Sequence, residues 1–143
     1  MTASNEDPTS SNPAWPSDEP VIRTIAMPAS TNPEGDIFGG WLLSQMDLAA
    51  ATVAFRLARG RCATVAIDSM SFLSPVFVGD EVSLFARVIS TGRSSVKVFV
   101  EAWRRRRDGP DAFRVTQGTF TFVAIDQDRR SRALPEESQG IIG

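Results

Sequence analysis

The chain has 143 residues, 42% of them hydrophobic, and a formal net charge of −2, which suits one domain with a packed core. It contains no histidine and no tyrosine, so Ser–His–Asp catalysis, Cys–His catalysis and histidine-ligated metal sites are excluded. The small net charge argues against a strong nucleic-acid binder. Lys97 is the only lysine, so carboxylates are the leading candidates for acid–base chemistry.

The single cysteine, Cys62, cannot form a disulfide within the chain and is expected to be a small buried hydrophobe. Its isolation fits a reducing, cytoplasmic environment. No apolar run approaches the roughly 18 residues of a transmembrane helix, so we expect no membrane insertion. The acidic, proline-rich start is unlike a signal peptide.

Residues 1–19 are rich in Ser, Thr, Asn and Pro, a composition that predicts a disordered N-terminal tail. Trp15 is the one large apolar group there. Residues 20–27 then predict a first strand, and the turn-forming residues at 28–35 predict a loop.

A long helix is predicted over 39–59, where apolar side chains cover nearly every face and indicate a largely buried element. Gly60 follows in the position expected for a C-cap. Asp47 stands out, because it is the only acidic residue between Asp36 and Asp68.

The rest of the domain reads as strands, because four segments are rich in Val, Phe, Ile and Thr: 62–72, 81–90, 94–104 and 112–125. Polar and apolar residues alternate over 95–102, as in a sheet with one buried face. The short links favour antiparallel pairing. We therefore expect an ordered domain over 20–126 and a polar C-terminal tail over 127–143.

This order predicts an α+β fold in which one long buried helix is wrapped by a curved antiparallel sheet of about five strands. A single sheet of this size leaves open edges. Pairing two copies edge to edge would cover them, so we expect at least a dimer.

The most informative stretch is 35–47, a glycine-punctuated loop that runs into the helix. The pair Gly39 and Gly40 exposes backbone N–H groups at the helix start, where the helix dipole favours developing negative charge. Asp47 is fixed on the same helix, and its mostly apolar surroundings make it a candidate base. Such an arrangement suits acyl transfer.

These residues resemble the hotdog-fold acyl-CoA thioesterases, and the YciA-type bacterial branch most of all. Besides the block 35–47, the matching stretches are 23–28, Thr31 with Asn32, Phe72, Pro75 with Val76, Gly79 with Asp80, 92–95 and 120–126. Together they span about 21–126.

The resemblance implies the hotdog fold and the hydrolysis of acyl-CoA to coenzyme A and an organic or fatty acid. It implies no metal and no organic cofactor, since coenzyme A is part of the substrate. It also implies dimers with sites at the subunit interface, and in the YciA-type branch a trimer of dimers.

Four residues are candidates for catalysis. Asp47 resembles the family carboxylate that attacks the thioester or activates water, and Gly39 resembles the residue whose N–H polarises the carbonyl. Asn32 resembles an asparagine that holds the thioester or the water, although it may simply form a turn before Pro33. Asp36 is either a second carboxylate or a helix cap.

Six further residues are candidates for substrate binding. Arg93, with the hydroxyls and turn amides around it, suits the phosphates of coenzyme A, and Gly40 lets a ligand approach the backbone. Two aromatic residues could line an acyl tunnel or pack in the core. The full set is Gly40, Phe38, Trp41, Arg93, Ser94 and Ser95.

Two charge features stay open. The arginine run 104–107 is either a solvated hairpin tip or a collar for the 3′-phosphate of coenzyme A. Relatives often carry a basic residue between the Phe-Leu and Pro-Val pairs, where this chain has Ser74, so a phosphate contact from that position is in doubt.

Two other functions are compatible with the fold. The first is a regulator that binds acyl-CoA or a nucleotide without hydrolysis, against which the candidate carboxylates argue. The second is a hotdog dehydratase, which is disfavoured because such enzymes use histidine. The sequence leaves the preferred acyl chain length open.

Overall fold

The computed structural model describes residues 15–16, 18–68 and 70–142. The expected disordered tail over 1–19 therefore lies mostly outside the described residues. One long helix, α1, spans Gly39–Ala58, and short 3-10 turns lie at Pro28–Ser30 and Glu136–Ser138. The strands are β1 (Ile22–Ile25), β2 (Cys62–Asp68), β3 (Glu81–Thr91), β4 (Ser95–Arg105) and β5 (Ala112–Ala124).

The five strands form one sheet in the order β1-β3-β4-β5-β2, and every neighbouring pair is antiparallel. Short hairpins join β3 to β4 and β4 to β5, while β1 and β2 form the two edges. The helix packs against the inner face of this sheet. The predicted α+β hotdog architecture is thus confirmed.

The central strand β4 shows why the sheet has one buried face. Val96, Val98, Val100 and Ala102 are fully buried on the helix side. Lys97, on the outer face, is exposed. The two-residue alternation read from the sequence is confirmed, and it places the core between β4 and the helix.

The helix buries a stripe of its surface and not every side. The buried residues follow helical spacing and are Leu42, Met46, Ala49, Ala50, Ala54 and Ala58. Leu48 is 57% exposed on another side of the helix, and Phe55 is 39% exposed. The expected burial on nearly every face is not seen in one chain, because a single curved sheet covers only one side.

The end of the helix differs from the prediction. Arg59, not Gly60, takes the left-handed cap position, with φ 55° and its N–H bonded to the Phe55 carbonyl. Arg132 completes this end by donating to the carbonyls of Ala58 at 3.1 Å and Ile125 at 3.0 Å. A Cβ on Gly60 would lie 2.8 Å from Nη2 of Arg132, so the glycine serves the close approach of the guanidinium.

Strand β2 ends at Asp68, earlier than the expected 62–72. Beyond it the chain leaves the sheet edge, and the Met70 side chain packs over Gly118 of β5. A Cβ at Gly118 would lie only 2.8 Å from Cγ of Met70. The N–H of Leu73 then donates to the Val115 carbonyl at 2.7 Å. The segment 70–80 is consequently a loop that crosses β5 near the first residues of that strand.

The C-terminal residues are integrated into the fold. Leu134 is 2% exposed, and its N–H donates to the Arg93 carbonyl at 2.8 Å. The Thr91 hydroxyl donates to the Ser138 carbonyl and accepts from the Ile141 N–H. We expected a polar tail over 127–143. Its described residues instead form hydrogen bonds that hold the β3–β4 turn.

Trp15 packs on the outer face of the sheet. Its ring lies edge-on to Phe85 and Trp103, at centroid distances of 5.1 Å and 5.4 Å. Trp103 is only 1% exposed. Within the described part of the chain, no helix combines the length and apolarity needed to cross a bilayer.

Candidate active site

Asn32 organises the loop that precedes the helix. Its side-chain carbonyl accepts hydrogen bonds from the N–H groups of Glu34 at 3.1 Å and Asp36 at 3.0 Å. Gly35 permits the tight turn with φ 88°. The amide Nδ2 of Asn32 makes no hydrogen bond to any described residue, so it remains available as a donor. The asparagine thus acts as a turn former and still offers one polar group.

The start of α1 leaves two backbone donors open. Phe38 occupies the N-cap, and no side chain caps the helix. The N–H groups of Trp41 and Leu42 donate to the Phe38 carbonyl. Those of Gly39 and Gly40 hydrogen-bond no acceptor among the described residues. Two adjacent amides therefore point out of the helix start, as an oxyanion site requires.

An apolar cavity of about 350 Å³ opens beside these donors. Phe38, Gly39 and Leu42 form its helix side, and Phe72 and Leu73 form part of the facing wall. Phe38 and Phe72 are about half exposed. The cavity falls in the size range of small-ligand pockets, and exposed apolar side chains of this size mark a ligand or partner site.

The two candidate aromatic residues separate in the structure. Phe38 lines the cavity, whereas Trp41 packs against the hydrophobic core. A Cβ on Gly40 would lie 3.2 Å from the Phe38 ring. Glycine at position 40 thus lets this ring rest against the helix start.

Asp47 lies on the helix where it meets the edge strand β2. Its Oδ1 accepts a hydrogen bond from the Thr64 hydroxyl at 2.8 Å, and the residue is partly buried. Thr64 is the only hydrogen-bond partner of this carboxylate among the described residues. The contact holds one oxygen and leaves the other open to water or a ligand.

Asp36 lies in the exposed loop, and its side chain makes no hydrogen bond to the described residues. It does not cap the helix, because Phe38 holds that position. The capping alternative for Asp36 is therefore wrong, and its part in the site stays a prediction.

The turn 92–95 lies at the other end of the helix from Gly39. The Ser94 carbonyl accepts from the Ala124 N–H at 2.9 Å, while the Arg93 side chain is exposed. Ser138, whose carbonyl holds Thr91, also places its hydroxyl 3.4 Å from the Leu57 carbonyl near the helix end. A helix of 20 residues is about 30 Å long. One chain thus keeps the predicted phosphate contact far from Gly39.

The arginine run 104–107 does not form a uniform charged collar. Arg105 pairs with Glu81 at 2.6 Å, and Arg106 pairs with Asp108 at 3.1 Å. Arg104 turns inward, and its Nε donates to the Ser74 hydroxyl at 3.1 Å. Much of the run's charge is thus matched by neighbouring carboxylates.

Cys62 is not disulfide-bonded and is partly buried. Burial raises the pKa of the Cys62 thiol above its ordinary value, and the positive charge of Arg132 partly opposes this shift. The described residues contain no group of three or more His, Cys, Asp or Glu side chains placed to hold a metal ion.

Two contacts near the site could not be found from the sequence. Thr64 holds Asp47, and Arg104 holds Ser74, although each pair is distant along the chain. Only the strand register and the path of the loop bring these side chains together. The sequence left Arg104 either in a solvated hairpin tip or in a phosphate collar, and nothing in it indicated the contact with Ser74.

Comparison with known proteins identifies clear relatives. The family profile described as "Thioesterase superfamily" matches residues 34–109. An uncharacterised acyl-CoA thioester hydrolase of Zymomonas mobilis is 53% identical over 125 residues, which is 87% of this chain and 84% of that protein. The acyl-CoA thioester hydrolase YciA of Escherichia coli is 44% identical over 125 residues, 85% of this chain and 95% of that protein.

A solved structure with the same architecture is that of a hexameric broad-specificity acyl-coenzyme A thioesterase. The match has a TM-score of 0.81 and 43% sequence identity, and it covers 86% of this chain and 85% of the chain in that structure.

Proposed function

The chain belongs to the thioesterase superfamily, and we propose that it hydrolyses acyl-CoA thioesters to coenzyme A and the corresponding acid. The observation that carries this proposal is the pair of open N–H groups at Gly39 and Gly40 beside the apolar cavity. The acyl chain occupies the cavity, and the thioester carbonyl accepts from the Gly39 N–H.

The chemistry needs only a carboxylate and water. Asp47 takes a proton from water as the water oxygen adds to the carbonyl carbon, and the negative charge on the carbonyl oxygen is stabilised at Gly39. The tetrahedral intermediate then expels the coenzyme A thiolate, which takes up a proton. We assign Asp47 as general base, because Thr64 holds one carboxylate oxygen and the other stays open to a water molecule. No cofactor enters the reaction.

The helix geometry favours a site shared between copies. Gly39 and Asp47 are eight residues apart, so about 12 Å of helix rise separates them. Asp47 is also not among the residues that line the cavity beside Gly39, and Thr64 holds its carboxylate at the edge strand β2. One copy therefore supplies Gly39, and a second supplies Asp47.

Self-association follows from this requirement. Pairing of the edge strands builds the dimer, and we propose a trimer of dimers because the similar solved enzyme is hexameric. The turn with Arg93, Ser94 and Ser95 contacts the phosphates of coenzyme A from the neighbouring copy. Asn32 Nδ2 and Asp36 support the thioester or the water. The lone cysteine favours a cytoplasmic location.

The function is tested by release of thiol from a series of acyl-CoAs. Asp47→Asn should lower kcat by at least about 100-fold, the usual contribution of a general base. The control is Glu34→Gln, which removes an exposed carboxylate from the loop that precedes α1 and should leave the rate unchanged.

Equal rates for wild type and Asp47→Asn would remove Asp47 from the mechanism. If the wild type binds acyl-CoA saturably and releases no thiol, the protein is a binding regulator. The Asp36→Asn variant, measured in the same assay, ranks the two carboxylates.

A further inference from the structure

Arg104 differs from the arginines that follow it. It lies on the helix-facing side of β4, two residues after the buried Ala102. Its side chain is 15% exposed, whereas that of Arg106 is 71% exposed. A guanidinium this enclosed is held by specific contacts and does not act as a general surface charge.

The guanidinium makes four contacts, three of them to one loop. Its Nε donates to the Ser74 hydroxyl at 3.1 Å, and Nη1 lies 3.6 Å from the buried Asp80 carboxylate. It also stacks between the rings of Phe77 at 5.4 Å and Phe113 at 5.1 Å. The Asp80 carboxylate in turn accepts from the Phe77 N–H at 2.9 Å. One side chain thus organises residues 74–80.

The same loop forms the outer wall of the apolar cavity. Its contribution to the lining is Phe72, Leu73, Ser74, Pro75 and Val76. The first part of the loop is tied to β5, since Thr116 donates to the Ser71 carbonyl and Leu73 donates to the Val115 carbonyl. The far end of the second part is bonded to the chain beside β1, through the Gly79 N–H to the Ala26 carbonyl and the Ala26 N–H to the Asp80 carbonyl. Arg104 anchors the side chains between these two ends.

We propose that Arg104 is a positioning residue that fixes this wall and thereby sets which acyl chains the enzyme accepts. The proposal rests on the proposed function, because it takes an acyl-CoA as the occupant. A wall held at a fixed distance excludes water and buries the chain, and each buried methylene is worth roughly fourfold in affinity. If the anchor is removed, the wall is no longer held at a fixed distance, and each added methylene increases the affinity by less.

The test measures binding of S-methyl-, S-butyl- and S-hexyl-coenzyme A, thioethers that lack the carbonyl and cannot be hydrolysed. The dissociation constants give the gain in affinity per methylene. Ser74→Ala removes the hydroxyl that accepts from Arg104 and that also donates to the Pro75 carbonyl at 3.4 Å. Arg104→Met removes the guanidinium, and Arg104→Met with Asp80→Asn also avoids leaving a buried carboxylate without its cation. Arg106→Met is the matched control, since it removes one arginine of the same run without touching the loop.

We expect the control to keep the wild-type gain per methylene. Ser74→Ala should reduce it, and the Arg104 variants should reduce it further, with S-methyl-coenzyme A bound within about twofold of wild type. Arg104→Lys should restore part of the gain, because it keeps the charge near Asp80. Thermal unfolding of each variant shows whether it is folded.

An unchanged gain per methylene in both Ser74→Ala and the Arg104–Asp80 double variant would overturn the proposal, even if both melt earlier. The proposed function is judged separately, by thiol release from acyl-CoA with the wild type. If affinity rises with the length of the alkyl chain but the wild type releases no thiol from acyl-CoA, hydrolysis alone is refuted. No binding of any thioether by the wild type would refute both.

Discussion

At the scale of single residues, the position of the Asp47 carboxylate is decided by one hydrogen bond from another element. The helix fixes its backbone, and the Thr64 hydroxyl fixes one carboxylate oxygen at 2.8 Å. A base held at one oxygen keeps the orientation of its other oxygen, and small displacements at an active site cost rate. Thr64 is therefore expected to affect turnover without contacting substrate.

Replacing Thr64 by Val keeps the shape of the side chain and removes the donor. We expect kcat to fall about tenfold or more, because a hydrogen bond to a charged group contributes about 1.5–3 kcal/mol. Thr121→Val, on the neighbouring strand, is the control, since its hydroxyl does not bond to Asp47. Equal kcat values for the two variants would show that the hydrogen bond does not orient the base.

At the scale of elements, the two ends of α1 differ in how their backbone groups are capped. The start has no side-chain cap and leaves the amides of Gly39 and Gly40 open, as suits a binding site. The end is closed by Arg132, which donates to the carbonyls of Ala58, Ile125 and Arg61. A cation at the negative end of the dipole adds to this stabilisation. The proposed oxyanion site lies at the uncapped start of the helix, and the contacts of Arg132 close its other end.

Arg132→Met should lower the free energy of unfolding by about 2 kcal/mol, since it removes charge-assisted hydrogen bonds at the helix end. The control is Arg130→Met, whose side chain makes no hydrogen bond to the described residues. Urea unfolding at one fixed protein concentration compares them. The same loss in both variants would mean that Arg132 does not cap the helix.

Much of the fold could be predicted from local patterns, and what could not depended on contacts between distant residues. The alternation in 95–102 and the glycine pair at the helix start placed β4 and α1 correctly. The cap at Arg59 could not be predicted, because a guanidinium 73 residues later completes it. Likewise the end of β2 depends on Met70 packing over Gly118.

The candidate site shows the same division. Asp47, Gly39 and Phe38 were predicted from residue type, from their position at or on the helix and from the family resemblance. Phe38 lines the cavity, while the roles of Asp47 and Gly39 stay predictions. Thr64 and Arg104 were missed, because a threonine on a strand and an arginine in a charged run carry no local signal of a partner. For Trp41 the sequence left open whether it lines an acyl tunnel or packs in the core, and in the structure it packs against the core.

At the scale of the whole molecule, the described residues nearest to each end of the chain pack against the sheet or its turns. Trp15 covers Phe85 and Trp103 on the outer face, and the C-terminal segment holds the turn after Thr91. Among the described residues, β1 and β2 are the edge strands of the sheet, and each pairs with another strand on one side only. On β2, Val65 is 57% exposed and Ile67 is 40% exposed.

We expect the open edge at β2 to make activity depend on protein concentration, because this strand carries Thr64, whose hydroxyl bonds to the Asp47 carboxylate. If a second copy covers β2, dilution below the dissociation constant shifts the protein to single chains by mass action. Activity per molecule should then fall as the associated fraction falls, and recover when the sample is concentrated again. Rates measured across a dilution series, with size measured in parallel, test this. Constant activity per molecule in samples of single chains would mean that one copy holds a complete site.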